Sequence, residues 1–388
     1  MTIAGVITEY NPFHLGHAYQ LQTIKQEGLA DYTVVLMSGN VVQRGEFAVL
    51  DKWTRSHAAI LNGADLVLEL PLIASLQSAD YFADWSVKIL DSLSIDRLVF
   101  GTESLESDDL LAYVDWLEEH QEEVDDLVRH YLSQGFSYAA SYQFAVETAG
   151  GLQFERIGQA NHLLAVQYIQ SLRRLNSSAS IHALPRIKQL NETQSVYSGS
   201  QLRAMLKSNS LEQQMLPSYT YQQLLENPLI DNADYFPYLK YQIQSQSPQR
   251  LTRYFGVDHG LETFIFEAAS AAENYSGLIN QLTSKRWTKA SIQRKLMTIL
   301  LNITKEEWEA SHQLNSQRSA IRVLAYNQKG KEILRQQRDN TKLDLFSNLK
   351  QNIATTYELN LRADKVYVQC HPSSFIKEQN TGRFPIQG

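Results

Sequence analysis

Residues Thr2–His17 read Thr-Ile-Ala-Gly-Val-Ile-Thr-Glu-Tyr-Asn-Pro-Phe-His-Leu-Gly-His. The first seven make an apolar, β-branched run that reads as a short buried strand, and the proline at position 12 ends that regular pattern. A helical pattern follows from His17 to about Glu27. Two imidazoles, His14 and His17, therefore bracket Leu15-Gly16 where a strand hands over to a helix. At such an entrance unpaired backbone N–H groups attract anions and Gly16 lets the backbone come close. Imidazole donors there can face phosphate oxygens, or charge developing on a phosphoryl group. Two other readings stay open: turn histidines that bond locally, and a pair of metal ligands with no obvious third partner. No Gly-Lys-Ser/Thr phosphate loop and no GxGxxG pattern occurs.

Outward from this stretch the pattern alternates. Tyr32–Met37 reads as a second strand ending at Ser38-Gly39-Asn40, a turn tripeptide. Lys52–Leu61 reads as a helix, Leu66–Leu70 as a strand, Val87–Leu93 as part of a helix and Arg97–Phe100 as a strand closed by Gly101-Thr102. Strands alternating with helices point to an α/β fold whose parallel sheet carries helices on both faces. Asp109–Leu132 reads as one exposed helix, Gln159–Leu175 as another, and Ser180–Leu184 as a further strand. A helix starts near Ser200, with Ser198 or Ser200 at its cap. The first domain is expected to span 1–210. The remainder, 211–388, is read as mostly helical, clearest at Leu261–Ala269, Thr288–Asn302 and Arg318–Gln336, with a Gln/Ser-rich loop at Gln242–Gln249.

Composition narrows the class. The 388 residues include 35 Lys+Arg and 42 Asp+Glu, a net charge of −7, with 18 Gly and 9 Pro. That is ordinary globular usage, not collagen-like or proline-rich disorder. The one cysteine, Cys370, excludes an intrachain disulfide and a cysteine-cluster metal site, and a reducing cytoplasm is the expected setting. No apolar run approaches the roughly 18 residues of a membrane span, so no membrane role is expected. Charge is segregated: Glu103–Asp126 holds eleven acidic residues and no Lys or Arg, whereas Lys285–Lys295 holds five basic residues and no acidic one. The basic segment, with Trp287 beside Lys285 and Arg286, can meet a phosphate backbone while the acidic surface faces away.

The string Glu9–His17 resembles the HIGH-type nucleotidyltransferase superfamily, and further blocks resemble the bacterial tRNA(Met) cytidine acetate ligase family. These blocks are Ser38–Glu46, Asp51–Arg55, Gly63–Pro71, Ser78–Ala83, Phe100–Glu103 and Val323–Gly330. They run in order along nearly the whole chain. The resemblance implies a Rossmann-like adenylyltransferase core followed by a helical tRNA-binding region. It implies a ligase that activates acetate with ATP, with Mg2+, as acetyl-adenylate and passes the acetyl group to N4 of the wobble cytidine of elongator tRNA(Met).

The resemblance also implies site residues. His14 and His17 carry the catalysis within a nucleotide-binding stretch of Ile7, Thr8, Glu9, Tyr10, Asn11, Pro12, Phe13, His14, Leu15, Gly16, His17, Ala18, Tyr19 and Gln20. Gly101, Asn161, Arg186, Ser200 and Arg203 extend the ATP site. Asn161 stands in Ala160-Asn161-His162, where the family block has Pro-Asn-Asn, and Gly199-Ser200-Gln201 replaces the family's Ala-Thr-Ala. Ser200 and Arg203 also suit an anion clamp on physical grounds: a helix start, a hydroxyl and a guanidinium. Lys52 and Arg55, three apart on a helical face, are candidates for tRNA phosphate or the ATP phosphates, against a plain salt-bridged face. Lys285, Arg286, Arg294 and Lys295 are the candidates for tRNA, extended by Arg318, Arg322, Lys329 and Lys331. No metal ligands are assigned, and His57 and His162 are read as structural. Two other classes fit less of the chain: a small-molecule adenylyltransferase, and a non-enzymatic RNA-binding protein with a nucleotide pocket.

Overall fold

The computed structural model describes residues 1–136, 138–150, 160–191, 194–227, 229–339, 342–349, 357–370 and 386–387. The opening run forms strand β1 (Ile3–Thr8). It is apolar throughout because it is central: Tyr32–Ser38 (β2) pairs with it in parallel on one side and Arg97–Thr102 (β4) on the other. Leu66–Leu70 (β3) adds to β2, and Ser180–Pro185 (β5) to β4, both in parallel. Five strands thus lie in the order β3-β2-β1-β4-β5. The chain leaves β1 toward β2 and later returns to its other side at β4. This reversal opens a crevice at the carboxyl ends of β1 and β4, where such sheets take ligands.

Helices cover this sheet as the alternation requires. Leu15–Gln26 and Lys52–Leu61 pack against it; Asp51 caps the second by accepting from the Trp53 and Thr54 amides at 2.8 and 3.0 Å. Ala79–Ser92 and Ala160–Arg174 complete the cover. The acidic stretch is two helices, Ser107–Glu119 and Gln121–Ser133, rather than one. They divide at His120, whose ring stacks on Trp116 and bonds its carbonyl at 2.9 Å.

Residues 211–317 are helical as expected, with Asn232–Gln244, Leu261–Ala271, Tyr275–Leu282 and Lys289–Leu300 forming their core. The expected loop at Gln242–Gln249 is partly helical: the Asn232–Gln244 helix enters it and Pro248–Leu251 forms another turn. The expected helix Arg318–Gln336 is a larger departure. Ser319–Tyr326 is a strand, β6, and only Gln328–Gln336 is helical. β6 pairs antiparallel with β3, and Leu343–Phe346 (β7) pairs in parallel with β6. Ile386–Gln387 also pairs with β6. The sheet therefore takes strands from both halves of the chain, and a cut at residue 210 does not separate sheet from helices. Among the described residues no helix is long and apolar enough to cross a membrane.

The turn out of β6 locks onto β3. Asn327 donates its amide to the Asp65 carbonyl at 3.0 Å and its side chain to the Asp65 carboxylate at 2.8 Å. Gly330 sits so close that a Cβ there would stand 2.0 Å from the Asp65 carbonyl oxygen. A backbone atom cannot swing aside as a side-chain tip can. Gly330→Ala is expected to lower stability by about 3 kcal/mol, the upper end for overpacking, read from the urea midpoint.

Candidate active site

Beyond β1 the chain turns through Tyr10, which holds a left-handed conformation (φ 49°) uncommon for a bulky residue. Three hydrogen bonds from elsewhere in the chain pin this turn. Arg55 donates to the Glu9 carbonyl at 2.5 Å, Asn11 accepts the Val49 amide at 2.9 Å, and Arg203 donates to the Asn11 carbonyl at 2.6 Å. The turn delivers His14 to the N-cap of helix Leu15–Gln26. The His14 amide donates to Nδ1 of His17 at 3.2 Å, and the two rings stack with centroids 3.6 Å apart. Tyr10 and Phe13 flank His17, their ring centroids 4.7 and 5.7 Å away.

Accepting that bond fixes the His17 tautomer: Nδ1 is the acceptor, so the proton of the neutral ring sits on Nε2. His14 Nδ1 is buried with no hydrogen-bond partner. Burial, then the nearby Arg186 charge, pushes the His14 pKa down to about 3. Burial, then His14 and Arg186, holds His17 well below the ordinary range. Both imidazoles are thus neutral hydrogen-bonding groups at physiological pH.

These depressed values also act on stability. Below the ordinary 6.5 the unfolded chain takes protons at His14 that the folded chain refuses until about 3. The unfolded state binds more protons in that window, so stability falls as pH drops through it. His14→Asn should flatten the loss, seen as a smaller change in urea midpoint between about pH 7 and pH 5 than in the unsubstituted chain.

Across the crevice, Gly101 is exposed near the end of β4, and only the Leu184 carbonyl lies near where its Cβ would be, at 4.0 Å. Arg186 follows β5, exposed, its amide bonded to the Thr102 carbonyl at 2.9 Å. Helix Gly199–Lys207 is capped by Ser198, with Ser200 exposed in its first turn and Arg203 reaching back to Asn11. Gly199 permits that approach, since its Cβ would stand 2.9 Å from the Asn11 carbonyl oxygen. The Asn161 amide is spent on Glu103 at 3.1 Å. The structure thus gathers His14, His17, Arg186 and Arg203 around one end of the crevice, with Gly101 and Asn161 beside it.

Lys52 and Arg55 are placed differently from the expectation. Neither reaches solvent. Lys52 Nζ bonds both Glu69 carboxylate oxygens (2.9 and 2.8 Å), Asp364 (2.6 Å) and the Tyr357 hydroxyl (3.0 Å). Arg55 spends its guanidinium on the carbonyls of Glu9, Ser38, Gly39 and Leu50. An RNA phosphate cannot reach either; Arg55 instead supports the turn after β1. Arg322 is likewise buried in β6, its guanidinium 4.7 Å from the Trp53 ring centroid, and cannot extend a tRNA surface.

The late basic segment divides. Lys285 and Arg286 are exposed, and Arg286 lies over the half-buried Trp287 at 4.9 Å. Lys295 is committed to the Gly256 carbonyl at 2.6 Å, and Arg294 leans on the Gln43 carbonyl at 3.5 Å. Gln43 belongs to the hairpin Val41–Phe47, and its amide bonds Glu9 at 2.5 Å. Glu46 of the same hairpin accepts from Gln293. Sequence reasoning missed this seam because its partners lie some 250 residues apart.

The family model described as HIGH Nucleotidyl Transferase matches residues 1–382. The tRNA(Met) cytidine acetate ligase of Streptococcus pneumoniae is 36% identical over 391 residues, covering 100% of this chain and 99% of its own. That of Acetivibrio thermocellus is 33% identical over 406 residues, covering 97% of each. Among solved structures, Thermotoga maritima TmcAL bound with alpha-thio ATP superposes with a TM-score of 0.86 at 27% identity, covering 100% of this chain and 99% of that one. With the paired histidines at the crevice of an α/β sheet and likeness along its full length, the chain belongs to the HIGH nucleotidyl transferase family, among the bacterial tRNA(Met) cytidine acetate ligases.

Proposed function

We propose that this chain joins acetate to N4 of the wobble cytidine of elongator tRNA(Met) at the expense of ATP. In the first step an acetate oxygen attacks the α-phosphorus, the bond to the bridging oxygen breaks, and pyrophosphate leaves. Carboxylate needs no activation as nucleophile, so the protein's work is alignment and charge neutralisation. His14 and His17 supply neutral donors to the phosphoryl oxygens, and Arg186 and Arg203 meet the phosphate tail. In the second step the N4 lone pair attacks the acetyl carbonyl, the C–O bond to AMP breaks, and the N4 proton passes to water. An anticodon base can splay outward to reach the crevice without opening a duplex.

The observation that carries the reading is the stacked, neutral His14–His17 pair at the switch of the sheet, with an unspent Nδ1 and two arginines beside it. Among the described residues no three His, Cys, Asp or Glu side chains are grouped to hold a metal. A Mg2+ ion carried by the triphosphate would neutralise and orient it. The ATP site is assigned to residues 1–210 and RNA contact to the helical part of 211–388. ATP, acetate and tRNA meet in the cytoplasm, where we place the enzyme. Incubation with ATP, labelled acetate and tRNA, followed by intact-mass analysis of the tRNA, tests the whole assignment. One added acetyl group that depends on ATP and acetate is expected; unmodified tRNA beside an active control ligase would refute it.

For RNA contact the exposed Lys285, Arg286 and Trp287 combine charge with an aromatic face. Lys285→Ala with Arg286→Ala is expected to weaken tRNA binding about tenfold and reduce the log–log salt slope by about one per residue. Acetyl-adenylate formation without tRNA should be unchanged. Filter binding at several salt concentrations reads both quantities.

A further inference from the structure

We propose that His162 is a positioning residue for ATP, holding the backbone of the loop after β4 in the shape that receives the nucleoside. This rests on the ATP-site reading above and extends it to a residue that touches no ligand. His162 is fully buried near the start of helix Ala160–Arg174. Its Nε2 faces two backbone donors, the amides of Ser104 at 3.1 Å and Leu105 at 3.3 Å. Two N–H groups aimed at one ring nitrogen call for a lone pair there, so the ring serves as an acceptor, with a Glu103 carboxylate oxygen 3.6 Å from the same atom. One residue earlier, the Asn161 amide donates to Glu103 at 3.1 Å. The Thr102 hydroxyl closes the loop on itself by donating to the Leu105 carbonyl at 2.6 Å.

The loop Gly101–Leu105 is therefore stapled to the helix start at three consecutive residues: Glu103, Ser104 and Leu105. It leaves the end of β4, across the crevice from the His14–His17 turn. Gly101 at its head is open to solvent. Without an acceptor at Nε2, the Ser104 and Leu105 amides would seek other partners, and the loop would sample shapes from which ATP must select. That cost falls on ATP binding alone; a residue that merely filled the core would change stability without that selectivity.

The test compares His162→Gln with His162→Met in the full chain. The glutamine amide oxygen reaches about the place of Nε2 and keeps an acceptor; methionine fills the space without one. The readouts are the Kd of α,β-methylene-ATP by calorimetry, kcat with the KM values for ATP and acetate, and hydrogen exchange of the peptide spanning residues 101–106. We expect His162→Met to weaken ATP-analogue binding and raise the ATP KM about tenfold, with faster exchange in that peptide. The acetate KM and the kcat at saturating ATP should stay within about twofold, and His162→Gln should stay near the unsubstituted values.

A folded His162→Met with normal ATP affinity overturns the proposal. So does a His162→Gln variant impaired as badly as His162→Met, or a loss confined to kcat. Should His162→Met fail to fold, His162→Gln decides: it is expected to keep both ATP affinity and loop protection, and loss of either overturns the proposal. An unsubstituted chain that binds no ATP analogue would instead sink the underlying function.

Discussion

Replacing His14 and His17 together by alanine is expected to abolish acetate-dependent ATP–pyrophosphate exchange, a loss of at least about 1,000-fold, while the chain remains folded. One donor aimed at developing charge is worth about 100- to 1,000-fold in rate. The two rings stack 3.6 Å apart and the His14 amide sets the His17 tautomer, so they act as a unit. Each single substitution should therefore cost nearly as much as the pair. Folding should survive because the turn that carries them is pinned from outside, by Arg55, Val49 and Arg203. The substitution removes one hydrogen bond at the helix start, from the His14 amide to His17 Nδ1, worth about 1 kcal/mol. Circular dichroism and a urea titration verify the fold; exchange of labelled pyrophosphate into ATP reads the chemistry. A folded double variant with near-normal exchange would remove the histidines from the reaction.

The largest effect on stability is expected at Lys52. Its ammonium is buried among Glu69, Asp364 and the Tyr357 hydroxyl, and Asn360 and Asn40 satisfy the remaining carboxylate oxygens. Burial alone would raise the Glu69 pKa, but Lys52 outweighs it, with help from Tyr357 and Arg322, and Glu69 stays below the ordinary carboxylate range. At Asp364 burial wins over Lys52 and the pKa is raised. Lys52→Met leaves two carboxylates facing each other in the interior. The expected cost is about 3–5 kcal/mol, the range for breaking a buried pair from one side. Adding Asp364→Leu should recover part of it, and the double-mutant cycle isolates the coupling. If Lys52→Met were as stable as the unsubstituted chain in urea, the network would contribute nothing to holding the helix Glu358–Cys370.

Much of the sheet was legible in the sequence. Buried parallel strands are continuous apolar runs bounded by turn residues, and β1 to β4 largely have that form, whereas β5 is a half-buried edge strand. β6 was not legible. Its apolar residues also suit one face of a helix, and it leads into a true helix at Gln328. What makes it a strand is a partner, β3, some 250 residues earlier. The turn after β1 was legible because its signal is local: two histidines, a glycine and a proline within six residues. Lys52 and Arg55 were misplaced for the opposite reason. A charged side chain on a helix reads as surface unless its counter-charge is visible, and Asp364 lies 312 residues away. The Asp51 cap was within reach of inspection, but it fixes where the helix begins and not which way it faces.

That separation has a consequence for synthesis on the ribosome. The neighbour β6 of β3 and the second carboxylate partner of Lys52 are translated long after the segments they join, Asp364 by 312 residues. At 5–20 residues per second, on the order of 15–60 s pass between the lysine and its aspartate. Throughout that time a growing polypeptide carries an ammonium with Glu69 as its one carboxylate partner, and an uncapped sheet edge. Chaperones should therefore hold the growing chain until β6 and Asp364 have emerged, and messages that stop before codon 320 should yield aggregates rather than a working fragment.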